Sequence, residues 1–232
     1  MWHGLRMSEN LALLATLQQA DSFFPAGAVA FSWGLETLVV ENRFRPDRDL
    51  RALLLGQLQH RWAVFDRAVV VSAYDNAADL QAVTAFDQEV EAMILARELR
   101  EGSRRAGASL LSVHERLGTP GAVEYRAAVR GGAAVGHLPI VQGVVWRGAG
   151  MTVAQAQAVS AHTFCVSLLG AVLRLGAVGH LQTQETLMAV RPAIADLLAT
   201  PAPKFEDCYA FTPMAEIAAM RHEVQSSRLF AN

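Results

Sequence analysis

Apolar residues recur along this chain roughly every three or four positions, and no stretch alternates apolar with polar for long enough to make a strand. That period suits helices that bury one face, and it excludes most sheet-based architectures. Ser8 is placed to cap a first helix carrying Leu11, Leu14 and Leu17 on a shared face. Pro46 and Asp47 open a long stretch with Leu50, Leu54, Leu58, Phe65 and Val69 near helical spacing. Val69 to Val71 would also suit a short buried strand, but their neighbours favour helix. Asp79 starts another helix, and from Met93 the pattern runs to Leu117, where Gly118 and Pro120 supply a stop. Thr152 and Gln155 have capping-box spacing ahead of a strongly apolar helix ending near Gly176. Pro201 and Pro203 break the chain, and Thr212 with Pro213 restarts it with an N-cap and an N1 proline. The expectation is an all-α, single-domain bundle of about ten helices spanning 1–232, with flexibility of a C-terminal tail at 223–232 left open.

One connector is unusual. Asp21 to Glu36, DSFFPAGAVAFSWGLE, puts Phe23, Phe24, Pro25 and Gly27 where a surface turn would be polar. Pro25 forbids a continuous helix and Gly27 accepts a positive φ. Such a connector needs either the chain's own core or a partner to cover it.

Composition narrows the function classes. Hydrophobic residues make up 52% and charged residues 18%, which argues for a packed fold; the apolar excess fits either partner surface or simple alanine richness. A net charge of −2 creates no global field for nucleic acid or an anionic membrane. Of the 20 basic residues only Lys204 is a lysine, and it follows Pro203, so a phosphate-binding G-x-x-x-x-G-K-[ST] loop is absent. Cys165 and Cys208 make no disulfide framework, Met1 to Met7 lacks a signal-peptide pattern, and Ala161 to Leu173 is too short to span a bilayer. A soluble, cytoplasmic protein is expected.

Local catalytic signals are weak. The histidines (His3, His60, His114, His137, His162, His180 and His222) show no H-x-x-x-H pair, so neither a metal nor a cofactor is expected. Ser32 in A-F-S-W-G lacks the nucleophile elbow, and Gly131, Gly132 and Gly136 do not match a dinucleotide loop; they fit turns or close helix approach. Glu36 stands without a visible partner, which favours a capping or ion-pair role over a general base.

Two features remain. Arg97 to Arg105, RELREGSRR, fits a solvated stripe paired to its own glutamates, or a contact surface for an acidic partner or a nucleotide phosphate. The ending MRHEVQSSRLFAN carries Leu229 and Phe230 after Arg228; this apolar end either docks on its own domain or serves a partner groove.

Several blocks together resemble the UreF family of urease accessory proteins. They are Leu17–Glu36, Arg97–Leu111 (containing R-E-x-R-x-x-S-R-R-x-G-x-x-L), Gly136–Gly143 (G-H-x-x-x-V-x-G), Ala171–Gln184 and the M-R-H-E-x-x-x-S-R-L-F ending at Met220–Phe230. Val29, Trp33, Leu138–Pro139, His180 and Ala231–Asn232 depart from the family's usual residues. The resemblance implies an all-helical homodimeric chaperone without catalysis of its own. It would bind UreD (also called UreH), recruit or regulate the GTPase UreG, and serve nickel insertion into apo-urease. Carried onto this sequence, it points to Ser227, Arg228, Leu229 and Phe230 as a UreD contact and to Arg104 and Arg105 as a contact for UreG. Two other functions stay open: a small helical enzyme assembled in three dimensions from Glu36, His137 or His162, and direct nickel carriage at a dimer-interface histidine site.

Overall fold

A computed structural model of the chain describes residues 9–21, 23–24, 33–223 and 225. Ser8, Pro25, Gly27, Phe31 and the tail residues Ser227, Arg228, Leu229 and Phe230 lie outside the described residues. Those that are described form helices and connecting turns, with no strand among them. The all-α expectation therefore holds.

The helices are α1 (Glu9–Ala20), α2 (Leu35–Val40), α3 (Pro46–Gln57), α4 (Arg67–Asp75), α5 (Leu80–Met93), α6 (Arg97–Arg116), α7 (Ala122–Arg130), α8 (Leu138–Gly148), α9 (Val153–Arg174), α10 (His180–Ala199) and α11 (Pro213–His222). Between α3 and α4 runs a π-helical segment, Leu58–Asp66, so Pro46 to Asp75 is one continuous rod. The sequence pattern already placed this rod, including Val69 to Val71, which are helical.

Two buried clusters share the rod and α9. One gathers Phe65, Val69, Val90, Leu110, Tyr125, Ile140, Val144 and Trp146. The other gathers Leu35, Leu38, Leu54, Leu58, Trp62, Leu168, Val172 and Val190. Long helices that pass through both clusters couple them into one bundle, because neither half can open without exposing the other's apolar side.

Start and stop signals behave largely as read. Thr152 and Gln155 form a reciprocal capping box, and Asp79 accepts the N–H of Ala82. Pro213 occupies the first turn of α11, but Thr212 makes no side-chain cap; its hydroxyl instead donates to Glu216 at 3.3 Å. The stretch from Met93 is not one helix. It breaks at Ile94–Ala96, and Arg100 donates to the carbonyls of Ile94 and Leu95 at 2.7 and 2.8 Å, so a side chain satisfies the end of α5.

The π segment has a visible consequence. Its wider winding leaves carbonyls that a regular helix would occupy more fully. His60 accepts the N–H of Phe211 at 2.9 Å and Val64 that of Tyr209 at 3.2 Å. The extended stretch before α11 is thus pinned along the rod.

Among the glycines expected to permit turns or close approach, Gly136 takes φ +88° and Gly132 φ +77°. Gly107 of α6 lies so close to the Gly136 carbonyl that a Cβ there would overlap it. The small residues of the R-E and G-H blocks therefore serve one crossing.

His114, near the end of α6, shows how polar atoms are settled in this core. Its Nδ1 lies 2.9 Å from Thr119 Oγ1 and its Nε2 3.1 Å from Gln19 Oε1, which also accepts the Trp146 indole N–H at 3.0 Å. A neutral ring fits these partners: the Thr119 hydroxyl donates and Nε2–H donates to Gln19. Burial lowers the His114 pKa from 6.5 to about 4. The unfolded chain therefore binds this proton first, so the stability contributed is complete above pH 6.5 and drains away as pH falls toward about 4. Urea denaturation across that window should show the unfolding free energy falling by about 1–3 kcal/mol, and His114→Gln should flatten the slope. An equal slope in both proteins would remove His114 as the cause.

Candidate partner-binding site

The end of α11 converges with α2 and the start of α6. His222 is fully buried; its Nδ1 lies 3.0 Å from both carboxylate oxygens of Glu98, and its Nε2 2.9 Å from Glu36 Oε2. Glu36 and Glu98 are themselves buried. Glu36 thus has a buried hydrogen-bond partner, 186 positions away, that its isolation in sequence left open. Both ring nitrogens donate together only when the imidazole is protonated; a neutral ring requires a proton on one carboxyl.

The arginine block is divided among several partners. Arg97 reaches Glu223 at 3.2 Å, Arg100 and Arg104 approach Glu91 at 3.5 and 3.6 Å, and Arg105 meets Glu101 at 4.0 Å. Arg104 and Arg105 keep 38% and 49% of their side-chain surface in solvent. Pairs so exposed contribute little to stability, which leaves both heads accessible to another charge.

Glu91 also holds His137, whose Nε2 lies 2.8 Å away. Burial pushes the His137 pKa down, opposed by the nearby Asp87 and Glu91 carboxylates. Asp87 is fully buried and anchors this corner: it accepts the Tyr125 hydroxyl at 2.7 Å and the N–H groups of Val135, Gly136 and His137 at 2.6, 2.6 and 3.1 Å. Glu36 and His137 therefore sit in separate networks; in the second, His137 bonds Glu91 through Nε2 while its buried Nδ1 has no hydrogen-bond partner. His162 lies part-way along α9, its pKa lowered by burial and then by Arg191. No Glu36–His137–His162 site is assembled from these contacts.

A cavity of about 70 Å³ lies between α1, the π segment, α6, α8 and α9. It is lined by Arg61 and Asp66, whose Nε and Oδ2 are 3.4 Å apart and otherwise lack hydrogen-bond partners. Burial raises the Asp66 pKa against the opposing pull of Arg61. Two wall hydroxyls, Ser160 and Ser167, accept the indole N–H groups of Trp62 and Trp33. No group of three or more His, Cys, Asp or Glu side chains that would hold a metal ion occurs among the described residues.

Two helices are turned inside out. In α1 the small or polar Ala12 and Gln19 face inward, while Leu11, Leu13, Leu14 and Leu17 are each more than half exposed. In α11, Ala215, Ala218, Ala219 and His222 face inward, while Met214, Ile217 and Met220 stand outside at 53%, 50% and 42% exposure. Phe211 and Tyr209 continue that exposed face. Both stripes leave apolar side chains in solvent in rows rather than singly. The sequence showed the Leu11, Leu14, Leu17 spacing but not its direction. The Met214, Ile217, Met220 spacing was equally readable, and the intervening alanines were the clue to which side faces in.

Comparison with known proteins decides the family. The UreF family model matches residues 45–191. The chain belongs to the UreF family. A urease accessory protein UreF of Trichodesmium erythraeum is 32% identical over 97% of this chain and 98% of its own length. Those of Paenarthrobacter aurescens and Actinobacillus pleuropneumoniae are each 29% identical, over 94% and 93% of this chain. For a UreF-family chain the buried histidine contact takes on a clear layout. Glu36 belongs to the first resemblance block, Glu98 to the arginine block and His222 to the M-R-H-E ending, so segments far apart in sequence meet at one point. Helix α9 is long and apolar enough to cross a membrane by length and composition, yet 61% of its most apolar window is buried in this UreF-family bundle.

Proposed function

We propose that this chain is the UreF component of urease maturation. It binds UreD (UreH), recruits or regulates the GTPase UreG, and so takes part in nickel insertion into apo-urease as a cytoplasmic homodimer without catalysis of its own. The observation that carries this reading is the match along nearly the whole chain to proteins named urease accessory protein UreF. Two features support it. The inside-out faces of α1 and α11 supply apolar area for a protein partner, and in sequence segment 226–232 begins four residues after the last residue of α11. Its Leu229 and Phe230 extend that apolar character, with Arg228 beside them to pair with an acidic group.

The tail assignment predicts that Phe230→Ala and Arg228→Ala each weaken co-purification with UreD by about tenfold, while far-UV circular dichroism stays unchanged. Normal recovery of UreD by both variants would sink it. Arg104→Ala with Arg105→Ala is expected to lower UreG recruitment and make the remainder less salt-sensitive, because the heads are exposed and screened. Recruitment unaltered at low salt returns the pair to a solvated stripe. Urease activation reconstituted with nickel, with and without this chain, tests the function as a whole.

A further inference from the structure

The cavity between α1, the π segment, α6, α8 and α9 is kept open from one side by α6. Glu98, Gly102, Ala106 and Leu110 recur at every fourth position of that helix and all line the space, and the middle two are too small to fill it. Trp33, Trp62 and Trp146 supply much of the remaining wall, which is mostly apolar. Against this background stand Arg61 and Asp66, both buried. They face each other at 3.4 Å in a geometry that leaves Arg61 Nε and Asp66 Oδ2 without a hydrogen bond. A guanidinium carries five N–H donors in a fixed fork and a carboxylate carries only acceptors, and unmatched atoms of either kind are costly in an interior. The Arg61 guanidinium is also held over two rings, its carbon 4.9 Å from the centre of Trp33 and 5.9 Å from that of Phe65. Gln142 adds a buried amide to the same wall.

We propose that this cavity is a binding site for a small neutral carboxamide, whose carbonyl accepts from Arg61 and whose N–H donates to Asp66. Charge decides the class of ligand. An anion brings its charge against Asp66 and Glu98, and a cation brings its own against Arg61, in surroundings that screen neither. A neutral molecule with an acceptor beside a donor answers both partners at once. Size sets the limit. The cavity volume of about 70 Å³ is little more than the liquid volume of two waters, which admits a molecule of about four heavy atoms. Water answers only the polar edge, whereas an amide with a short apolar end also packs against the tryptophan side of the wall. The site stands independently of the partner-binding reading, since it uses none of the residues assigned to UreD or UreG.

Acetamide, acetate and acetamidinium share one shape and differ in charge, so together they test the assignment on the full chain. Each is titrated into isotope-labelled protein while the indole N–H resonances are followed, those of Trp33, Trp62 and Trp146 reporting from the cavity wall. These signals should shift saturably with acetamide between about 0.1 and 10 mM, the range open to so small a ligand. Acetate and acetamidinium should bind at least about tenfold more weakly. Ala106→Leu, which fills the space from α6, should abolish saturation with helical content retained. Where that variant does not fold, Arg61→Gln with Asp66→Asn removes both charges together and should weaken acetamide binding by about tenfold. Shifts that stay linear in acetamide would mean that water alone serves Arg61 and Asp66, and would overturn the proposal. Acetate or acetamidinium binding as tightly as acetamide would overturn the neutral class. Saturation that survives in the variant that folds would place the binding elsewhere and overturn the site.

Discussion

Replacing Asp87 with alanine is expected to cost the fold on the order of 3–5 kcal/mol, the range for removing one side of a buried, charge-assisted network. One carboxylate there accepts from the Tyr125 hydroxyl and from three consecutive N–H groups at Val135, Gly136 and His137. Without it these donors are buried with no acceptor, and each orphan carries a desolvation penalty of about 1–3 kcal/mol. The loss reaches beyond stability. The loop that Asp87 gathers opens α8, and it places His137 beside Glu91, to which Arg100 and Arg104 also turn. The measurement is the urea midpoint together with UreG recruitment. Asp87→Ala should lower both, whereas Tyr125→Phe, which removes one donor and leaves the carboxylate, should cost only about 1 kcal/mol. A midpoint unmoved by Asp87→Ala would mean that water or a neighbouring group takes over all of these N–H groups.

Gly143→Val is expected to cost about 3 kcal/mol or more, at the upper end of overpacking effects. Helices α4 and α8 cross closely at Gly143, where a Cβ would fall 2.6 Å from the Val70 carbonyl, 2.7 Å from Ala73 Cβ and 2.7 Å from the Tyr74 nitrogen. Two of the three neighbours are backbone atoms, which cannot rotate away, so the helices must separate. Separation loosens the packing around Ile140, Val144 and Phe65, which belong to the same buried cluster. Gly170→Ala is the control: its Cβ would meet nothing within 4 Å, and it should be neutral or slightly stabilising through helix propensity. Comparable losses in both variants, read from thermal or urea unfolding, would show that the crossing yields more easily than its geometry implies.

These two sites differ in how far the sequence announced them. Gly143 ends the G-H-x-x-x-V-x-G block, so the resemblance pointed to it, although nothing local said which helix it meets. Asp87 gave no signal: an aspartate inside an amphipathic stretch reads as solvent-facing, and its donors lie 38 to 50 positions downstream. The break at Ile94–Ala96 was missed for a related reason. Apolar spacing continues across it, and the Arg100 side chain that caps the end of α5 comes from the following helix.

From residue order alone came the all-helical class, because a period near 3.6 with no alternating run leaves no sheet to build. The capping box at Thr152, the proline starts of α3 and α11, and the UreF resemblance were legible in the same way, since each depends on neighbours or on ordered blocks. Only the tertiary structure decided which faces are inward. It showed α1 and α11 with alanines buried and leucines, methionines and an isoleucine outside, a choice made by how closely neighbouring backbones approach. It also gave Glu36 its partner, since a contact spanning 186 positions has no local signature and exists only once three helices meet.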